Sequence, residues 1–159
     1  MEKKYFKFGE VASFKYGKMP DKKKMVDKET FPVYSGYRIV GYYPEYNVEK
    51  NQLIIVARGV GGAGDVKLSP EKCWLTNLSI VADVDDSVVR EKYLYYLFQI
   101  QNLRYLDSGS AQSQITIADL EKVSLELPKI DVQDRIINIL EILDAKIIEN
   151  ERINNNLAA

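Results

Sequence analysis

Residues 127–157 read LPKIDVQDRIINILEILDAKIIENERINNNL, and this stretch decides the architecture. Pro is absent after Pro128 and Gly is absent after Gly109, so nothing within it breaks a helix. The pattern predicts one long helix from about Val132 to Leu157. Asp131 is the expected N-cap, and Asp134 falls in the first turn, where negative charge suits the helix dipole. Apolar residues recur at Ile136, Leu140, Leu143 and Ile147, and the same spacing continues through Asn150, Asn154 and Leu157. That is a heptad seam with two Asn in its second half, and buried Asn in such seams fixes register and partner number at some cost in stability. Ile137, Ile139, Ile142 and Ile148 lie off the seam, so the helix needs more than one covering surface. Docking on its own domain is one reading; pairing with a helix from a second copy or a partner is the other.

Upstream the pattern changes. Residues 1–130 are a mixed, β-rich region of short segments, which with the helix (131–159) makes an α+β chain of one compact domain and one coiled-coil-type helix. Phe6–Phe14 fits a strand or a helical turn and leads to a break at Gly17 and Pro20. Phe31–Tyr34 and Tyr37–Tyr43 read as strands, ended by Ser35-Gly36 and by Pro44. Leu53-Ile54-Ile55-Val56-Ala57 is a continuous apolar run of strand length and belongs in the core, as does Leu78–Val84. Glu91–Leu106 has helical spacing, with Leu94, Leu97, Phe98, Leu103 and Leu106 on one face. Ser108–Ser113 is a small polar loop, and Leu120–Leu127 reads as a late strand.

Composition removes several chemistries. The 159 residues contain no His, so a Ser-His-Asp triad, a Cys-His pair and a His-ligated zinc site are excluded within this sequence. Cys73 is the one Cys, which excludes an internal disulfide and suits a reducing compartment. The first residues carry Lys3, Lys4 and Lys7 with no apolar run behind them, unlike a signal peptide, and no stretch is long enough to span a bilayer. A cytoplasmic protein with no membrane partner is expected.

Charge is unevenly spread. The chain has 22 basic and 23 acidic residues, but residues 1–28 hold nine Lys against four acids, which leaves 13 basic and 19 acidic for the rest. Such a basic segment suits a polyanion, although a solvated surface loop would look the same. Gly59-Val60-Gly61-Gly62-Ala63-Gly64 satisfies the dinucleotide-binding pattern and follows an expected strand. Yet it leads into Asp65-Val66-Lys67-Leu68-Ser69-Pro70, which alternates like a strand and offers no helix N-terminus to a pyrophosphate. A tight turn between strands is the better reading.

Several segments together resemble one repeat of the specificity subunit of type I restriction-modification systems. They are Phe8-Gly9-Glu10-Val11, Tyr16-Gly17-Lys18-Met19-Pro20, Phe31–Gly36, Ile54–Gly64, Thr76-Asn77, Tyr93–Leu97, Gly109-Ser110-Ala111-Gln112 with Ile117, and the junction Leu127-Pro128, Gln133, Ile136, Leu140, Leu143-Asp144, Ile147. The resemblance implies a non-catalytic DNA-reading module. It has a target recognition domain (1–130) for one half of a split double-stranded site, and a helix (131–159) for dimerisation, spacing and partner docking. It also implies that S-adenosylmethionine and adenine methylation belong to partner modification (methyltransferase) subunits, with a restriction subunit in the larger complex, and that this chain needs no cofactor or metal. Family members usually carry two domains and two helices. One of each suggests a half-subunit that works as a homodimer, or a piece of a longer chain.

The residue types needed for that role are present. Lys18, Lys22, Lys23, Lys24, Arg38, Arg58 and Lys67 are candidates for phosphate contacts. Arg38 and Arg58 toward guanine, and Asn77, Gln112 and Gln114 toward adenine, are candidates for base readout, with Ser108, Ser110 and Ser113 at shorter range. The helix residues expected at a dimer or partner contact are Ile136, Leu140, Leu143, Ile147, Asn150, Asn154 and Leu157. Two other readings compete. One is an assembly module that acts through the helix without DNA. The other is an enzyme, for which Asp83, Asp85 and Asp86 would be the carboxylates, although a solvated turn explains them equally.

Overall fold

Leu53-Ile54-Ile55-Val56 forms strand β5, and all four side chains are buried because both faces of its sheet are covered. Leu53 and Ile55 point to one side, where they meet Ile80, Ala82, Leu94 and Phe98. Ile54 points to the other with Val81, against Val48, Cys73 and Leu75. Alternation along a strand thus appears in the sequence as an unbroken apolar run, since neither face is wet. The structure, a computed structural model, describes residues 3–26, 30–36, 38–59, 62–107 and 114–157.

Among the described residues the pairing gives three sheets. The largest has the order β2-β8-β5-β6, built from Ala12–Tyr16 (β2), Leu53–Val56 (β5), Val66–Leu68 (β6) and Ser79–Val84 (β8). All its pairs are antiparallel. The second has the order β4-β3-β7, from Phe31–Ser35 (β3), Arg38–Tyr43 (β4) and Trp74–Leu75 (β7). The third pairs Lys3–Lys7 (β1) with Ser124–Pro128 (β9) and so ties the start of the chain to the strand that precedes the long helix. Helices α1 (Phe8–Val11), α2 (Glu91–Ile100), α3 (Ile117–Glu121) and α4 (Ile130–Leu157) complete the order. The layers run from helix α2, through the four-stranded sheet, to the three-stranded sheet.

Three sequence expectations need correction. The helix begun at Glu91 ends at Ile100, not Leu106. The Gln101 N–H closes it on the Leu97 carbonyl, and the chain turns so that Leu103 is buried against Gly64. A Cβ at Gly64 would lie 2.6 Å from the Arg104 nitrogen, and its φ of +91° independently requires Gly. Leu120 belongs to helix α3 rather than to the late strand. The Thr116 hydroxyl accepts the Asp119 N–H in a capping box that starts α3, and the strand begins only at Ser124. Helix α4 already includes Asp131, so this residue sits in the first turn and is not the N-cap.

Helix α4 docks through one face of its first half. Gln133 and Ile137 are buried, and residues 138–156 beyond them are half-buried or exposed. The Gln133 side chain is fully enclosed. Its Oε1 accepts the Arg90 N–H at 2.8 Å, while its Nε2 donates to the carbonyls of Val88 (3.1 Å) and Pro128 (2.9 Å). Polar pairs continue along the α2–α4 contact: Arg90 Nε to Asp134 (2.8 Å), Lys92 to Glu141, and Tyr96 Oη to Asp144 (2.7 Å). Among the described residues no helix is long and apolar enough to cross a membrane.

Candidate nucleic-acid interface

Main-chain hydrogen bonds tie five segments of the chain to one another. Gly17 donates to the Ser79 carbonyl and Lys18 to that of Leu75. Thr76 donates to Tyr34, Ala57 to Leu78, and Ile115 to Ala57. Gly17 permits the first of these approaches, since a Cβ there would lie 2.3 Å from the Thr76 carbonyl oxygen. The Trp74 indole N–H adds a bond to the Lys18 carbonyl at 2.6 Å.

The expected DNA-contacting residues distribute over this frame. Lys18 is exposed at its edge. Lys22, Lys23 and Lys24 form one exposed 3-10 turn, capped by Asp21, whose carboxylate accepts the Lys23 N–H. The turn is carried alongside β4, because Met25 packs against Gly41 and the Val26 N–H bonds the Tyr42 carbonyl. Lys24 also lies 3.9 Å from Glu45, an exposed pair worth little. Arg38 opens β4 opposite Ser35, at the tip of the β3–β4 hairpin, and Gly36 in that tip sits over Val56. Arg58 is exposed two residues beyond and bridges Gln114. Asn77 lies in the turn before β8. Arg38 and Arg58 lie near the β3–β4 hairpin tip, whereas Lys22–Lys24 lie toward the other end of β4, where Lys24 meets Glu45. Lys67 joins neither group: it sits on β6, the edge strand of the other sheet, beside a groove of about 950 Å³ between β6, α2 and α4. Ser108, Ser110, Gln112 and Ser113 lie outside the described residues. Their flanks are held together, since the Gln114 N–H donates to the Asp107 carboxylate at 3.2 Å.

On the helix, Ile136 and Leu140 are half-buried, whereas Leu143 (49% exposed), Ile147 (55%), Asn150 and Asn154 face outward; Leu157 is the last helical residue. Ile139, Ile142, Ile148 and Ile153 are exposed too. The Gln133–Ile137 face therefore docks on its own domain, while a broad apolar surface stays open.

Electrostatics follow the contacts. Hydrogen bonding to Arg90 holds the Asp134 carboxyl below its ordinary range, and Thr116 does the same for Asp119. Burial pushes the Tyr96 phenol up to about 12, helped by its bond to Asp144. Burial also raises Glu91, against the opposing effect of the Leu53 N–H that it accepts at 2.6 Å. Asp83, Asp85 and Asp86 are exposed, and Asp85 accepts from the Ser87 N–H and hydroxyl as a turn cap. Among the described residues no three acidic or Cys side chains are grouped to hold a metal. The turn at Gly62–Gly64 joins β5 to β6 and opens no helix.

Sequence reasoning does not single out the anchoring roles of Gln133, Arg90 and Tyr96, because their partners are distant in the chain. It also passes over Ile39 and Val40. Gly41, a Gly inside a strand pattern, is the available signal for the irregularity beside them.

Comparison with known proteins agrees with this architecture. A protein of Haemophilus influenzae described as a type I restriction enzyme specificity subunit is 28% identical over 137 residues, which is 84% of this chain and 33% of that protein. The crystal structure of a type I restriction-modification S subunit from M. genitalium superposes with a TM-score of 0.82 at 20% identity, over 93% of this chain and 40% of the other. A specificity subunit from Thermoanaerobacter tengcongensis gives 0.65 at 18% identity, over 94% and 39%. The chain thus spans about a third of the curated relative's length and two-fifths of the S subunits. The family model for the type I restriction modification DNA specificity domain matches residues 1–159, and the chain belongs to that family.

Proposed function

We propose that residues 1–130 read one half of a split double-stranded DNA site, and that the helix in 131–159 sets the distance to the other half and docks the adenine-methyltransferase subunits. The observation that carries this reading is that Lys18, Lys22–Lys24, Arg38, Arg58, Asn77 and Gln114 lie on the three-stranded sheet or on segments tied to it and to one another by main-chain bonds. Flexible Lys side chains supply attraction to phosphates, while Arg38 and Arg58 carry the donors that guanine accepts, and Asn77 and Gln114 carry the donor and acceptor pair that matches adenine. Two copies paired through the open apolar side of α4 would read a symmetric, interrupted site, since protein symmetry mirrors half-site symmetry.

The test is binding of duplex DNA by the wild type and by Lys22→Ala/Lys23→Ala/Lys24→Ala over a salt series. The slope of log affinity against log salt should become shallower by about 0.9 for each phosphate that is no longer neutralised. An unchanged slope, or equal affinity of the wild type for every duplex, refutes the assignment. The competing reading, an assembly module without DNA, is favoured by the exposed Leu143 and Ile147, and it predicts association with no DNA affinity at all.

A further inference from the structure

Strand β4 contains an extra residue. Val33 pairs with Gly41 and Tyr34 with Ile39, so Val40 has no partner on β3. This is a β-bulge, and Gly41 has a φ of +149° beside it. A regular strand turns neighbouring side chains to opposite faces, whereas here Ile39 (51%) and Val40 (53%) are both more than half exposed. Two adjacent aliphatic side chains in water are costly, and the surroundings indicate what covers them. Arg38 precedes them on the same strand. The Lys22–Lys24 turn leads directly into Met25, which packs on Gly41. The Val26–Tyr42 bridge is antiparallel, so the Lys22–Lys24 turn flanks the other end of the strand, where Lys24 faces Glu45. The apolar pair thus lies between Arg38 and that turn, an arrangement that suits a polyanion with apolar groups on its surface. Duplex DNA offers one such group in the major groove, the 5-methyl of thymine.

We propose that Ile39 and Val40 determine specificity by packing against a thymine methyl group, with the bulge presenting both side chains at once and Arg38 beside them. The proposal rests on the DNA-reading function above and names one base that it reads. It assigns the pair a role that the charged residues cannot fill, since a methyl group offers no hydrogen bond.

The test uses the full chain to select its preferred site from a random-sequence duplex pool, followed by synthetic duplexes in which each thymine of that site is replaced in turn by uracil. Uracil removes only the methyl group. Wild type should lose about fourfold in affinity at one position, the loss expected for one methyl no longer buried. Ile39→Ser and Val40→Ser should bind thymine and uracil duplexes equally at that position, while Val40→Ile should keep the discrimination. Melting temperatures of the variants establish that they fold. A selected half-site without thymine, no uracil-sensitive position, or sensitivity that persists in both Ser variants overturns the proposal and leaves the DNA-reading function intact. Ser variants that change sedimentation rather than DNA discrimination overturn it as well, and assign the patch to a protein contact. A wild type that selects no sequence overturns both.

Discussion

Replacing Gln133 with Met keeps the length of the side chain and removes every polar atom. The wild-type side chain makes three hydrogen bonds inside the protein, to the Arg90 N–H and the Val88 and Pro128 carbonyls, with none of its surface exposed. The variant leaves those three main-chain groups to find other partners. Arg90 and Val88 are partly exposed, so water can reach them and each missing bond should cost about 0.5–1 kcal/mol. Pro128 is buried, and its unsatisfied carbonyl should cost about 1–2 kcal/mol. The expected destabilisation is about 3 kcal/mol, or about 6–12 °C in melting temperature for a chain of this size. Gln133→Glu should be worse than Gln133→Met at neutral pH, because a carboxylate would face two carbonyl oxygens where an amide now donates to them. Asp134→Asn, one residue away, removes only an exposed ion pair and should cost less than about 1 kcal/mol. Urea unfolding of the four proteins measures all of this. A Gln133→Met variant within about 1 kcal/mol of wild type would refute the idea that this side chain anchors α4.

Three further outcomes are expected. Under the proposed pairing of two copies through α4, Leu143→Lys/Ile147→Lys should shift sedimentation toward monomer while leaving the melting temperature of dilute protein nearly unchanged, because both positions are half-exposed in the single chain; an unchanged sedimentation profile would refute pairing through this face. Glu91 has a raised pKa, so the unfolded chain releases its proton first and stability should fall as pH rises from about 4.5 through the folded value; Glu91→Gln, which keeps an acceptor for Leu53, should lack that fall, and an identical pH profile would discount the burial of this carboxyl. Burial between the sheets pushes the Cys73 thiol up to about 11, so alkylation of native protein at about pH 8 should be slow and track unfolding; rapid labelling without denaturant would contradict this.

The parts of the fold that depend on local patterning were legible. Strand β5 announces itself as an apolar run, and α4 by its periodicity and lack of breakers. Parts that depend on distant contacts were not. Nothing near Leu103 says that it must turn away to meet Gly64, and Leu120 fits a strand pattern until the Thr116–Asp119 cap is seen. Counting heptads finds the Ile136–Leu157 seam, but which face docks at home is settled by Gln133 and its partners on β9 and before α2. For the candidate interface, residue type identified the cations, whereas the bulge that exposes Ile39 and Val40 is a matter of strand register.

Helix α4 also behaves as a cantilever. Its polar and apolar supports run from Gln133 to Asp144, about 17 Å at the helical rise, and the remaining overhang to Leu157 is about 20 Å. For a rigid rod pivoting at Gln133, motion at Asp144 is therefore amplified about twofold at the tip. A tip displacement of about 3.4 Å, the rise of one base pair, needs only about 1.5 Å of slack at Asp144. The Tyr96–Asp144 and Lys92–Glu141 pairs lie at the outer end of that support, are solvent-accessible and contribute little to stability. Their leverage is mechanical: they hold the bearing on which the aim of the far end depends.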